Sequence, residues 1–284
     1  MYPPKFDYHK ANTVQEAISL VKESDGKFIA GGHSLIPAMN LRLADPGTLV
    51  DISRLNDMKG IGGGNGVISI GALTTHAMVA ASEVLPDALT EAAGMIGDPQ
   101  VRNRGTVGGN VAHADPASDL PTVLMALRAS FHMTSESGER SASSDEFFID
   151  LFETALGEND VLTSISLAEE GANTGSSYQK LFNPASRYAM VGAAAQVTIE
   201  NGTITAAGVA VGGLTPKATR ASSVEAALVG QPANDATIAS AAAAVANDLD
   251  DEVMGDIHAS ADYRRMMAPV FVRRALETAV SRAS

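Results

Sequence analysis

An α+β fold in two parts is predicted by three features of the sequence: a strand, a tight glycine turn and a helix within residues 27–43; short β-rich segments separated by turns through the first half; and two long β-rich runs joined by Asn201-Gly202 in the second. The first helix is expected from Val14, because Thr13 and Glu16 have capping-box spacing and Val14, Ala17, Ile18 and Val21 share one face. Lys27–Ala30 reads as a short strand. Gly31-Gly32-His33-Ser34 then leads into a helix over Leu35–Leu43 with Pro37 in its first turn. Leu49–Ile52 and Val67–Ile70 are predicted strands, and Gly60–Gly66 a flexible turn between them. Helices follow over Thr75–Ser82 and Pro86–Met95. A second glycine-rich passage, Arg104–Asn110, precedes Asp119, read as the N-cap of a helix that runs to about Arg128 with Pro121 in its first turn.

The short, polar stretch Glu169–Ser177 is the expected domain boundary, dividing the chain into 1–175 and 176–284. Beyond it Ala189–Ile199 and Thr203–Val211 should form a hairpin about Asn201-Gly202. The Ala-rich residues 235–249 read as a helix. Tyr263, Met266, Met267, Val270 and Phe271 have the spacing of a core stripe, with Pro269 as a kink, and Arg264, Arg265, Arg273 and Arg274 are read as a solvated face.

A chain of 284 residues, 45% hydrophobic, can bury a core. Twenty Lys+Arg against 33 Asp+Glu leave a net charge of -13, the wrong sign for phosphate backbones or anionic lipid, so no nucleic-acid partner is expected. No apolar run approaches the roughly 20 residues that cross a bilayer, and MYPPKFDYHK lacks an apolar signal region, which predicts a soluble cytoplasmic protein without a membrane span. The absence of cysteine removes disulfides, thiolate zinc sites, Cys-ligated iron–sulfur clusters and Cys nucleophiles together. Redox chemistry here must use an organic cofactor.

No GxGxxG follows a strand, and neither GxxxxGK[ST] nor GxSxG occurs. The six histidines, at 9, 33, 76, 113, 132 and 258, lack ligand spacing, so no metal site is expected and they read as surface or hydrogen-bonded groups. Two glycine doublets remain, Gly31-Gly32 and Gly108-Gly109. Each, taken singly, reads as a tight turn. Jointly they read as two anion-binding nests that close on one pyrophosphate, since a doublet admits φ > 0 and close backbone approach. Ser34, Thr106 and Asn110 add side-chain donors, and a helix starting near Leu35 would point its positive end at the phosphates. Asp119 suits sugar hydroxyls, whether or not it also caps its helix. Asp98, Arg102 and Arg104 read as a local ion-pair cluster.

These residues resemble the FAD-binding medium subunit of molybdenum hydroxylases, and within that family the aerobic carbon monoxide dehydrogenases. The strings that carry the resemblance are AGGHSLIPAMNLRLADPGTLVDISRL at 30–55, IGALTTH at 70–76 and IGDPQVRNRGTVGGNVAHADPASDLPTVLMAL at 96–127, with weaker likeness through GENDVLTSISL, YQKLF and DYRRMMAPVFVRRAL. It implies a two-subdomain FAD-binding region of the vanillyl-alcohol-oxidase (PCMH) type and a smaller C-terminal α/β domain with a three-stranded sheet. Ala30, Gly31, Gly32, His33, Ser34 and Leu35, with Thr106, Gly108, Gly109 and Asn110, would hold the pyrophosphate, and Asp119 the ribityl chain. Ile96 and Leu162 would line the isoalloxazine, and Lys180 and Tyr188 match positions beside it. The segment KLFNPASRYA departs from the family, with Asn183-Pro184 and Arg187 where a basic run is common.

The resemblance also implies partners. A small iron–sulfur subunit would carry two [2Fe–2S] clusters and a large subunit the molybdopterin cofactor, assembled as a dimer of heterotrimers in which electrons would pass through FAD to a quinone or other acceptor. No side chain of this chain is expected to act as nucleophile or general base. Alternatives are a stand-alone flavin oxidase, with His33 as a covalent flavin link, and a scaffold subunit that has lost the cofactor. The substrate of the complex, whether carbon monoxide, an aldehyde, a purine or an N-heterocycle, is not legible.

Overall fold

In the computed structural model, which describes residues 2–249 and 253–283, the chain opens with β1 (Asp7–Lys10), α1 (Val14–Ser24), β2 (Lys27–Ile29), α2 (Leu35–Asn40) and β3 (Thr48–Asp51). The Thr13 side chain accepts from Glu16 N–H, and Glu16 reaches back to Asn12 N–H, one residue beyond the capping-box partner. Ala17, Ile18 and Val21 are buried, as their spacing predicts. β1 and β2 flank β3 in parallel, which makes the first small sheet.

The next pair corrects a sequence expectation. Gly60–Gly66 is not a flexible turn: β4 (Ile61–Gly64) pairs antiparallel with β5 (Val67–Gly71). Asn65 and Gly66, at φ 56 and φ 80, form the tight turn between them. Low strand propensity misled because pairing needs only backbone, while Ile68 and Ile70 of β5 supply the burial.

Five helices follow: α3 (His76–Ala80), α4 (Asp87–Met95), α5 (Pro99–Arg104), α6 (Val107–His113) and α7 (Asp119–Ala126). After them come β6 (Ser130–Ser135), β7 (Gly138–Ser143), α8 (Ser144–Phe147), β8 (Phe148–Asp150), β9 (Glu153–Thr154) and β10 (Val161–Ala168). The order β4-β5-β10-β6-β7, antiparallel throughout, is the second sheet. Thus the first half holds two α+β units, as expected.

The polar stretch after β10 is loop only as far as Asn173, for Thr174 opens β11 (Thr174–Phe182). β12 (Ala189–Glu200) and β13 (Thr203–Gly212) turn about Asn201 and Gly202, at φ 51 and φ 75, as the Asn-Gly pair predicts. A two-residue edge strand, β14 (Thr219–Arg220), is added to these three, and α9 (Ser222–Leu228), α10 (Asp235–Ala243) and α11 (Ala261–Arg282) complete the chain.

This last sheet is buried on both faces. Val191, Ala193, Ala195 and Val197 of β12, with Val209 and Val211 of β13, join the core under α9–α11. The alternate residues Ala194 and Ala210 join the core of the first half, where α7 lies. Glycines allow that approach: a Cβ at Gly208 would overlap the Ala126 carbonyl oxygen, and one at Gly212 the Thr122 hydroxyl.

The stripe expected on α11 is rotated. Ala268, Phe271, Val272, Ala275, Leu276 and Ala279 are buried, while Tyr263, Met266 and Val270 are exposed. Arg264, assigned to the solvated face, is buried and bonds Asp256 and the carbonyl oxygens of Gly213 and Ala259. A long arginine that finds several acceptors can enter a core, which helical spacing alone does not reveal. Pro269 lies inside a helix that continues on both sides of it. Among the described residues, no helix is long and apolar enough to cross a membrane.

Candidate cofactor-binding site

The two glycine passages, far apart in sequence, meet. A Cβ on Gly31 would overlap the Arg104 carbonyl oxygen and stand 3.0 Å from Gly105 Cα. Gly32 takes the left-handed conformation at φ 75, and no acceptor among the described residues faces the backbone N–H groups of Gly32, His33 or Ser34. The turn from Ala30 to Leu35 therefore presents consecutive free donors, as an anion-binding nest does. The Ser34 hydroxyl makes no capping bond to α2. Because α2 has six residues, the donors themselves, rather than a long helix dipole, make this turn electropositive.

The second passage corrects the paired-nest expectation. Gly108 and Gly109 lie in the first turn of α6, not at φ > 0, and the N–H groups of 107–110 are already used. Val107 N–H donates to Thr74 O, Gly108 N–H to Ala72 O, Gly109 N–H to the Thr106 side chain and Asn110 N–H to Thr106 O. Gly108 is small because Ala72 presses on it, its absent Cβ lying 2.5 Å from the Ala72 Cβ. Gly109 is the open one: a Cβ there would meet only the Thr106 hydroxyl, at 2.8 Å. What this passage offers a ligand is side-chain donors. Asn110 Oδ1 accepts from the Ser118 hydroxyl at 2.8 Å, which leaves the Asn110 NH2 group to donate elsewhere.

Residues 72–76 form the spine behind both passages. Ala72 N–H donates to Thr163 O beside Leu162, at a bulge in β10. His76 N–H donates to Gly105 O, and Thr75 pairs with Thr106. The string IGALTTH marked this segment without revealing its role. His76, read as a surface or hydrogen-bonded histidine, is buried, and its Nδ1 has no partner.

The other candidates gather at the start of α7. Ser118, not Asp119, is the N-cap residue; Asp119 is the first helical residue and points inward. Its Oδ1 accepts from the Tyr178 hydroxyl at 2.6 Å and its Oδ2 from Lys180 at 2.8 Å. Burial pushes the Asp119 carboxyl up from the ordinary range, with the Lys180 charge opposing, and burial raises the Tyr178 phenol well above its usual value. Lys180 also donates to Arg187 O at 2.7 Å and to Met95 O at 3.4 Å. Three donors thus meet three acceptors, each within one residue of Ile96, Asp119 or Tyr188.

Ile96 ends α4 half-buried, Leu162 is buried, and Tyr188 is partly exposed. The departure at Asn183 has a local cause: its side-chain oxygen accepts from the N–H groups of Ala185 and Ser186, which shapes the loop before Tyr188. The expected cluster of Asp98, Arg102 and Arg104 is not an ion-pair cluster. Asp98 caps α5, Arg102 bonds the carbonyl oxygens of Ile96 and Gly97, and Arg104 is exposed. Tyr178 and Ser118 were missed, though Tyr178 sits two residues before Lys180 and so on the same strand face. Among the described residues, no group of three His, Asp or Glu could hold a metal ion.

Comparison with known proteins finds matches along nearly the whole chain. Residues 4–168 match the family described as FAD binding domain in molybdopterin dehydrogenase, and residues 176–279 the CO dehydrogenase flavoprotein C-terminal domain. The chain is 36% identical to the carbon monoxide dehydrogenase medium chain of Hydrogenophaga pseudoflava, covering 99% of each. It is also 36% identical to the 6-hydroxypseudooxynicotine dehydrogenase complex subunit alpha of Paenarthrobacter nicotinovorans, covering 100% of this chain and 97% of that one. A solved carbon monoxide dehydrogenase from Hydrogenophaga pseudoflava superimposes with a TM-score of 0.95 at 37% identity, covering 100% of both chains.

Proposed function

Because this chain belongs to the FAD-binding domain family of the molybdopterin dehydrogenases, we propose that it is the flavoprotein subunit of a molybdenum hydroxylase complex of the carbon monoxide dehydrogenase kind. When bound, FAD would supply the redox chemistry of this subunit, between the [2Fe–2S] clusters of a small partner subunit, served by the molybdopterin cofactor of a large one, and a quinone or other acceptor. The chain's own residues bind and orient. The free N–H groups of Gly32, His33 and Ser34, the Ser34 and Thr106 hydroxyls and the Asn110 amide fit the diphosphate, while open Gly109 leaves it room. Asp119, with two of its lone pairs used by Tyr178 and Lys180, retains acceptor capacity for ribityl hydroxyls. Ile96, Leu162 and Tyr188 are assigned to the ring, and Lys180 serves them by holding their segments. The division at 1–175 and 176–284, and a cytoplasmic dimer of heterotrimers, belong to the same reading.

The observation that carries it is the contact of Gly31 with the 104–105 backbone beside a turn of unpartnered N–H groups. Two relatives of equal identity bear names with chemically unlike substrates, carbon monoxide and 6-hydroxypseudooxynicotine, so substrate choice is assigned to another chain. Isolating the tagged chain from its native host tests this: flavin absorbance, with iron and molybdenum in the co-purifying material, is expected. A colourless chain, even after excess FAD, sinks the flavoprotein reading. Flavin without iron or molybdenum favours the stand-alone oxidase, and flavin that stays with acid-precipitated protein points to a covalent link such as His33.

A further inference from the structure

His76 opens α3 and is 3% exposed. Its Nδ1 is enclosed with no hydrogen-bond partner. Burial keeps the ring neutral, its pKa lowered to about 4, with His33 adding repulsion. A neutral imidazole carries one N–H on its two ring nitrogens, and the edge away from Nδ1 is that of Nε2 and Cδ2. That edge faces Gly105: a Cβ there would stand 2.7 Å from Cδ2 and 2.8 Å from Nε2. Gly105 Cα in turn lies 3.0 Å from where a Gly31 Cβ would be. Ring, Gly105 and Gly31 thus touch in succession, with no room for a Cβ at either contact.

We propose that His76 is a positioning residue for the dinucleotide: as a spacer against Gly105 it sets how closely the 104–110 passage approaches the 30–35 turn, and hence where Thr106 and Asn110 stand relative to the free N–H groups of Gly32, His33 and Ser34. This rests on reading that turn as the FAD diphosphate site. His76 acts through Gly105, without touching the ligand. The neutral ring fills the gap beside Gly105 without bringing a charge that needs compensation before the ligand arrives.

The test is a size exchange, read by titrating FAD into the deflavinated full chain and following flavin fluorescence, with far-UV circular dichroism reporting the fold. His76→Ala, which leaves a void, should weaken binding about tenfold, and Gly105→Ala, which drives a Cβ into the ring, about as much. In the double variant the new Cβ occupies space the ring has left, so it should bind about tenfold tighter than Gly105→Ala, a coupling ordinary for contacting residues. Losses that simply multiply, or undiminished binding by His76→Ala, overturn the proposal. If Gly105→Ala does not fold, the comparison moves to the double variant against His76→Ala: tighter binding in the double supports the spacer, and equal or weaker binding overturns it. A wild-type chain that binds no FAD defeats the site reading itself, whereas wild-type binding with multiplying losses defeats this inference alone.

Discussion

Lys180 and Asp119 show how a single residue's neighbours decide its role. Both side chains are almost fully enclosed, at 2% and 5% exposed. Taking an ammonium and a carboxylate out of water is costly, and each is tolerable here because the other is 2.8 Å away, Tyr178 also donates to Asp119, and the other two donors of Lys180 are met by Arg187 and Met95. Lys180→Met leaves Asp119 without its counter-charge and should lower stability to urea by about 3–5 kcal/mol, whereas Lys180→Met with Asp119→Asn should recover much of that loss. A smaller loss in the single variant than in the double would show that the pair is not what holds this corner. His76 makes the matching prediction for pH. Its folded pKa is near 4 against 6.5 in the unfolded chain, so the unfolded state binds the extra proton between those values. Its share of stability is complete above pH 6.5 and falls away as the pH drops towards 4, by on the order of 3 kcal/mol. Melting temperatures measured across that range should slope less in His76→Leu than in wild type.

Helix α7 ties the two halves of the chain together. Its first residue joins the Asp119–Lys180–Tyr178 network, and its length rests on a face of β12 and β13 lined by Gly192, Ala194, Gly208, Ala210 and Gly212. Side chains on that face would hold the helix away, and the buried network could not close. The two glycines of β13 meet different obstacles, which separates them experimentally. At Gly208 the obstacle is the Ala126 backbone, fixed by the helix; at Gly212 it is the Thr122 hydroxyl, which can rotate. Gly208→Ala should therefore destabilise by about 1–3 kcal/mol in chemical denaturation and Gly212→Ala by less. Equal costs would mean that the helix shifts as a body. The hairpins teach the converse lesson: Asn65-Gly66 and Asn201-Gly202 carry the same turn signal, yet the first was hidden by the glycines of β4, which lack the side chains that mark a strand.

Across the whole molecule, two small α+β units and a doubly covered sheet bring Gly31 against the 104–105 backbone, Asn110 to Ser118 and Asp119 to Lys180. Local signals were enough for the capped first helix, the 201–202 hairpin and the strand–turn–helix at 27–40, because each depends on residue type and near-neighbour spacing. Zero cysteines and a charge of -13 likewise restricted the chemistry before any contact was known. Contacts between distant segments carried the rest. Whether a glycine has open space or a packed neighbour beside it, as at Gly109 and Gly108, depends on what stands opposite it, and spacing is silent about that. The burial of Arg264, the rotation of the α11 stripe and the three acceptors of Lys180 follow the same logic. A side chain's chemistry is written in its own atoms, but its burial, its partners and therefore its charge are properties of packing between segments the chain brings together only when folded.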